Sequence, residues 1–213
     1  VQVADAASLE ISSTVSWEFW RKTNNSKGDD GYMTRWKKTD DSRTFAIEGR
    51  ADNGRLQLEV SSDGTAGAGY SGVVFDTCGV ANEWTYIVIT FDAGATKFYC
   101  NSNLINSTTL GTTSLLTTGT SPLTIGFSNS NSVYTNGSMD EVAIYKKALT
   151  ADEALAHYRR LANRLTLKVR SCADATCSAN PSFVGPSGTT ATTYSELSNT
   201  SLNPPSLWSL PDS

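Results

Sequence analysis

The chain has 213 residues, 17 basic and 21 acidic side chains for a net charge of -4, and 18% charged residues; it is long enough to bury a core without metal or disulfide staples. Its charge is scattered and forms no basic stripe, which argues against nucleic acid and anionic membranes as partners. No apolar run in the sequence is long enough to span a bilayer and none reads as a charged-then-apolar leader; with its abrupt, strand-like start at Val1 the sequence is expected to be a mature or trimmed piece of a longer protein.

The dominant period along the chain is two. Thr14 to Trp20 reads as a mixed apolar strand, and Arg55-Leu56-Gln57-Leu58-Glu59-Val60 alternates with both leucines and the valine on one face. Trp84 to Phe91 is rich in aromatic and β-branched residues. Lys97 to Cys100 follows it across the turn Asp92-Ala93-Gly94-Ala95, so the two read as a hairpin. Further strands are expected at Leu123 to Phe127 and Met139 to Tyr145. Clusters such as Asn24 to Gly31 and Asn129 to Ser132 separate them, and many strands with regular turn signals imply a sandwich or jelly roll.

One helix stands out. Thr150-Ala151-Asp152-Glu153 is a capping box, with the Thr oxygen accepting from an early helix N–H and Glu153 reaching back to the Thr amide. Leu155, Tyr158 and Leu161 recur at helical spacing, Arg159 and Arg160 complement the C-terminal end, and the helix is expected to stop near Ala162 or Asn163. Composition then shifts. Leu165 to Arg170 reads as a strand, a short loop lies between Cys172 and Cys177, and a Pro/Ser/Thr-rich tail carries a weak strand at Ala191 to Tyr194. The expected domains are therefore 1–163, a β-sandwich, and 164–213, a partial second β-module or linker whose unpaired edges would lie against the first domain or another chain.

Four cysteines, Cys78, Cys100, Cys172 and Cys177, in a Ser/Thr/Asn-rich chain fit an oxidising compartment, hence a secreted or cell-surface location. Pairing across the hairpin makes Cys78–Cys100 sterically sensible, and Cys172–Cys177 would close a tight loop, although four cysteines allow three connectivities. Asn24, Asn106, Asn136 and Asn199 lie in glycosylation sequons of a kind that this composition produces by chance.

The block from Gly137 to Glu153, reading Gly-Ser-Met-Asp-Glu-Val-Ala-Ile-Tyr and then Ala148-Leu149-Thr150 into the capped helix, resembles the closing motif of concanavalin A-like, laminin-G-type jelly rolls. Val3 to Ile11 with Trp17 to Trp20 resembles that family's opening, and Trp84 to Asp92 with Lys97 to Tyr99 and Asn101 its central hairpin, so the resemblance covers roughly 1–161. It implies an all-β, two-sheet antiparallel sandwich with one short C-terminal helix and a β-rich extension. Val169 to Thr189 resembles a module that follows such domains in large bacterial surface proteins.

Family members bind glycans or proteins, or are themselves glycosidases or lyases, so the site must decide. Glycosidases of this fold alternate carboxylates on one strand of the concave sheet. Here Glu18, Glu48 and Glu59 each sit alone on a strand, while the adjacent Asp140 and Glu141 would point to opposite faces of a regular strand. The single histidine, His157, reads as an ordinary half-exposed helix residue with no nucleophile nearby. The resemblance implies a structural calcium held by Asp5 and by Asp140 or Glu141 with backbone carbonyls, and it assigns Trp20 and Trp84 to packing. Trp36 at a polar loop edge, Tyr70 in a Gly-rich stretch, and Tyr134 with Asn136 are the expected ligand-binding residues, because glycan recognition needs aromatic faces and amides. The expected function is a non-catalytic carbohydrate-binding or adhesion module. A filament or layer subunit assembling through its C-terminal strand is the alternative, and an enzyme is the least favoured reading.

Overall fold

The computed structural model describes residues 1–23, 30–50, 55–130, 132–161, 166–167, 170, 178, 181–184, 187, 189–190 and 194–195. The chain divides into two units, Val1–Tyr158 and Arg159–Ser213.

Period-two alternation becomes two antiparallel sheets in the first unit. One has six strands: β1 (Gln2–Val3), β3 (Gly31–Arg35), β4 (Phe45–Gly49), β5 (Leu56–Ser61), β6 (Tyr70–Val74) and β10 (Leu123–Ile125), in the order β1-β10-β3-β4-β5-β6. The other has five: β2 (Thr14–Thr23), β7 (Thr85–Asp92), β8 (Ala95–Cys100), β9 (Asn103–Thr109) and β13 (Gly137–Tyr145), in the order β13-β2-β7-β8-β9. A small hairpin pairs β11 (Phe127–Ser128) with β12 (Val133–Tyr134).

The apolar members of each strand meet between the sheets. Val15, Trp17 and Phe19 of β2, Ile87, Ile89 and Phe91 of β7 and Phe98 of β8 face Met33, Phe45, Ile47, Leu58 and Val60. Aromatic rings carry much of the contact across the gap: Trp17 and Phe45 lie 4.9 Å apart between ring centroids, and Phe75 stacks on Phe98 at 4.7 Å. Truncating a ring such as Trp17 to alanine would cost about 3–5 kcal/mol in lost transfer and cavity energy.

The central hairpin forms as expected between β7 and β8, turning at Ala93 (φ 46°) and Gly94 (φ 96°). Both central residues have positive φ, the geometry whose twist matches that of the flanking strands. Cys78 and Cys100 form a disulfide with Cα atoms 5.9 Å apart. Cys172 and Cys177, and the sequons at Asn24 and Asn199, lie outside the described residues.

Helix α1 (Ala151–Leu161) starts at the expected box: the Glu153 amide donates to Thr150 Oγ1 at 3.2 Å, and the Thr150 amide donates to Glu153 Oε2 at 3.0 Å. Within the second unit, β14 (Thr166–Leu167) pairs antiparallel with β15 (Tyr194–Ser195), and the Arg170 guanidinium sits 4.6 Å above the Phe183 ring centroid.

Two expectations are corrected. Trp84 is 45% exposed rather than packed, because it precedes β7. Trp20 packs outside the inter-sheet core, stacked on Tyr158 of α1 at 5.6 Å, while Trp17 takes the core position. In addition, β13 is not regular at Asp140-Glu141. A bulge interrupts pairing between Asp140 and Ala143, and Glu141 adopts φ 48°, so strict alternation does not govern that pair and both side chains are exposed.

Candidate ligand-binding face

Strand alternation that sends Leu56, Leu58 and Val60 inward sends Gln57 and Glu59 outward, and Phe45 and Ile47 likewise leave Ala46 and Glu48 facing out. The pairing register aligns these residues in two rows across the six-stranded sheet. One row runs Gly72, Glu59, Ala46, Thr34, Thr124, and the other Val74, Gln57, Glu48, Gly31. Glu48 and Glu59, solitary in the sequence, are therefore diagonal neighbours on adjacent strands, about 7 Å apart by ordinary sheet geometry.

The β11–β12 hairpin closes one side of this face. Gly126, in the left-handed region at φ 77°, ends β10 and lets the chain turn over the sheet. Gly31 permits the approach, since a Cβ there would lie 2.1 Å from the Ser128 nitrogen. Thr124 Oγ1 donates to the Phe127 carbonyl at 2.8 Å, Thr135 Oγ1 to the Gly31 carbonyl at 2.7 Å, and the Asn136 amide to Asp30 Oδ1 at 2.7 Å. Ser128 Oγ bonds Glu48 Oε1, which leaves Glu48 only 5% exposed.

On the other side Tyr70 donates its phenol to Glu59 Oε1 at 2.5 Å, and Arg50 Nη1 donates to Gln57 Oε1 at 2.9 Å. Partial burial, together with the hydrogen bond to Glu59 and the negative charges of Glu59 and Glu48, holds the Tyr70 phenol well above its usual range, so it stays a neutral donor. The accessible part of this face is its β5–β6 side, where Gln57, Glu59, Tyr70 and, just past β4, Arg50 present amide, carboxylate, hydroxyl and guanidinium groups, while Thr34, Ala46, Glu48 and Thr124 are buried.

Of the four expected ligand residues, Tyr134 and Asn136 are exposed and lie on or beside the hairpin, with Tyr134 at 74% and stacked against Phe127 at 4.6 Å. Tyr70 lies on the face itself. Trp36 does not offer an open ring: it is 2% exposed and packs edge-on against Tyr70 at 6.2 Å. Arg50 and Gln57 were not singled out in the sequence, and Glu48 and Glu59 were weighed there only as solitary carboxylates. Their signal was the polar half of the alternation whose apolar half marked the core.

A second polar cluster lies on the outer face of the five-stranded sheet. Glu18, 2% exposed, accepts from Tyr86 OH at 2.8 Å and Tyr145 OH at 2.7 Å and pairs with His157 Nδ1 at 2.8 Å. His157 is thus a partner of a buried carboxylate rather than an idle helix residue. The hydrogen bonds around Glu18 bring in two phenols and an imidazole and no serine or cysteine, so they do not form a hydrolytic triad.

The calcium expectation can be tested on its ligands. Asp5 bonds Arg35 Nη2 at 2.5 Å, so its carboxylate already has a cation. Asp140 lies on β13 opposite Trp20, where its Oδ1 accepts from the Glu141 amide at 2.8 Å. Among the described residues no group of three or more His, Cys, Asp or Glu could hold a metal ion, and Asp5, Asp140 and Glu141 do not fit calcium as a set.

Comparison with solved structures finds the same fold in several domains. The sialidase carbohydrate-binding domain of Ruminococcus gnavus, solved with α2,3-sialyllactose, superposes with TM-score 0.60 at 14% identity, covering 74% of this chain and 92% of that one. Domain 4 of an extracellular arabinanase from Geobacillus stearothermophilus, solved with arabinotriose, gives TM-score 0.54 at 19% identity, covering 73% of this chain and 70% of that one. The binding domain of botulinum neurotoxin serotype G gives 0.54 at 16% identity, covering 74% and 39% respectively. At these identities the likeness is one of fold. No curated protein matches the chain significantly in sequence. A laminin-G-type family model, described as the concanavalin A-like lectin/glucanases superfamily, matches residues 1–154, and the chain belongs to that family.

Proposed function

We propose that this domain is a non-catalytic carbohydrate-binding module of a secreted or cell-surface protein, binding an oligosaccharide across the outer face of the six-stranded sheet. The observation that carries this reading is the group of Gln57, Glu59 and Tyr70 on adjacent strands, with Arg50 just past β4, flanked by the exposed ring of Tyr134. Sugar hydroxyls need paired donors and acceptors at close spacing, and sugar C–H faces need an exposed aromatic ring. Carbohydrate-binding domains among the structural neighbours support the same reading.

Glu48 and Glu59 are the two carboxylates that the pairing of β4 with β5 brings together on this face. Each, however, is engaged by a hydroxyl, and Glu48 is buried beneath Ser128, which leaves it unable to reach a glycosidic oxygen. The disulfide between Cys78 and Cys100 supports an oxidising compartment.

The test is a glycan array covering neutral, amino and acidic oligosaccharides, followed by titration calorimetry on the best ligand. Glu59→Ala and Tyr134→Ala are expected to weaken binding by on the order of tenfold or more with little change in melting temperature. Failure to bind any glycan would overturn the binding reading, and release of shortened sugars on incubation would overturn the non-catalytic one.

A further inference from the structure

Arg35, the last residue of β3, has no exposed side-chain surface. Its guanidinium makes five contacts, all to oxygen. Nε donates to the Ser121 carbonyl at 3.2 Å and Nη1 to the Leu9 carbonyl at 3.1 Å. Nη2 reaches the Gly119 carbonyl at 2.6 Å, Glu10 Oε1 at 2.8 Å and Asp5 Oδ1 at 2.5 Å. Two carboxylates and three backbone carbonyls, drawn from segments 5–10 and 119–121, surround one cation.

That donor set is the one a calcium ion selects: hard oxygens, mixed carboxylate and carbonyl, from separate stretches of chain. The residue-by-residue match extends to a surplus acceptor, because Glu10 Oε2 is buried with no hydrogen-bond partner. The chain before β2 has little else to fix it. Strand β1 contributes two residues to the sheet, and of residues 4–11 only Ile11 reaches the core fully. A buried guanidinium is costly unless paired, and here each side of the pairing solves the other's problem.

We infer that Arg35 is a built-in structural cation: it does at this corner what a bound calcium ion would do, so the domain folds without calcium, and removing the guanidinium opens a cavity able to take a divalent cation. The inference rests on the five oxygens around Arg35 and is independent of any glycan site.

Two comparisons test it by thermal melting in EDTA and in millimolar calcium chloride. The native chain should melt at the same temperature in both, and a calcium-dependent rise of several degrees would overturn the inference. Arg35→Ala should melt well below the native chain in EDTA and recover by roughly 2–8 °C in calcium, since a ligand that binds only the folded state stabilises it by mass action. Calorimetry should then show one calcium site in Arg35→Ala that Asp5→Asn and Glu10→Gln together abolish. Melting of Arg35→Ala that ignores calcium would overturn the equivalence. Should Arg35→Ala not fold, Arg35→Lys carries the test. Its ammonium keeps the charge but offers fewer donors in a different geometry, so it should melt below the native chain without responding to calcium; native-like melting overturns the role assigned to the guanidinium.

Discussion

The two outer faces of the sandwich each carry glutamates bonded by tyrosine, and they use them differently. On the five-stranded sheet Glu18 is buried under α1 and shares Tyr86, Tyr145 and His157, with Trp20 stacked on Tyr158 beside it. On the six-stranded sheet Glu59 has Tyr70 as its hydroxyl donor and lies half-buried, next to Gln57 and Arg50. A carboxylate has about four lone-pair sites. Three donors and a helical cover make Glu18 a structural peg, while Glu59 retains accepting capacity that faces solvent.

Removing the peg should have the largest effect. Glu18→Ala takes away the shared acceptor of two phenols and an imidazole in a buried place, and is expected to cost about 3 kcal/mol or more in urea unfolding. Glu59→Gln, on the open face, should cost under about 1 kcal/mol, as exposed polar substitutions do. Equal costs for the two variants would erase the distinction between the faces.

Tyr70→Phe sharpens the comparison from the open side. It deletes one hydrogen bond to a carboxylate, about 1.5 kcal/mol by ordinary values for bonds to charged groups. If Tyr70 only orients Glu59, glycan affinity in calorimetry should fall by less than for Glu59→Ala. A loss as large as that of Glu59→Ala would instead assign the phenol a direct contact with ligand.

How much of this could be read from the sequence differs between the same two regions. The Gly137 to Glu153 block marked β13, the capping box and α1, because local hydrogen bonding and spacing determine them. The Cys78–Cys100 pair was legible because a two-residue turn fixes the register of its hairpin. The neighbourhood of Glu48 and Glu59 was not legible, since they become neighbours only through the pairing of β4 with β5. Trp36 and Trp84 were assigned the wrong way round in exposure for a similar reason. Whether an indole at a strand end turns inward depends on what the next segment covers. Asp5 looked like a metal ligand because nothing local reveals that a buried arginine thirty residues on, Arg35, will reach it.

A further test concerns the cover itself. The first turn of α1 is held by Thr150 and Glu153, and Lys147 reaches Glu153 Oε1 from outside the helix. Thr150→Ala should cost about 1 kcal/mol, the usual value of an N-cap. The hydrogen bond from Lys147, then the backbone bond from Thr150, lowers the Glu153 carboxyl below its ordinary 4.5. A depressed folded-state pKa means that this contribution is fully present above the unfolded value and disappears as pH falls through the folded one. Protection of the amides at the start of α1, measured against intrinsic exchange at the same pH, should therefore fall as the solution is acidified through the lowered range of the Glu153 carboxyl. Glu153→Gln should remove that acid step while leaving the Glu18 network in place. An acid step that survives in Glu153→Gln would show that the cap is not its origin.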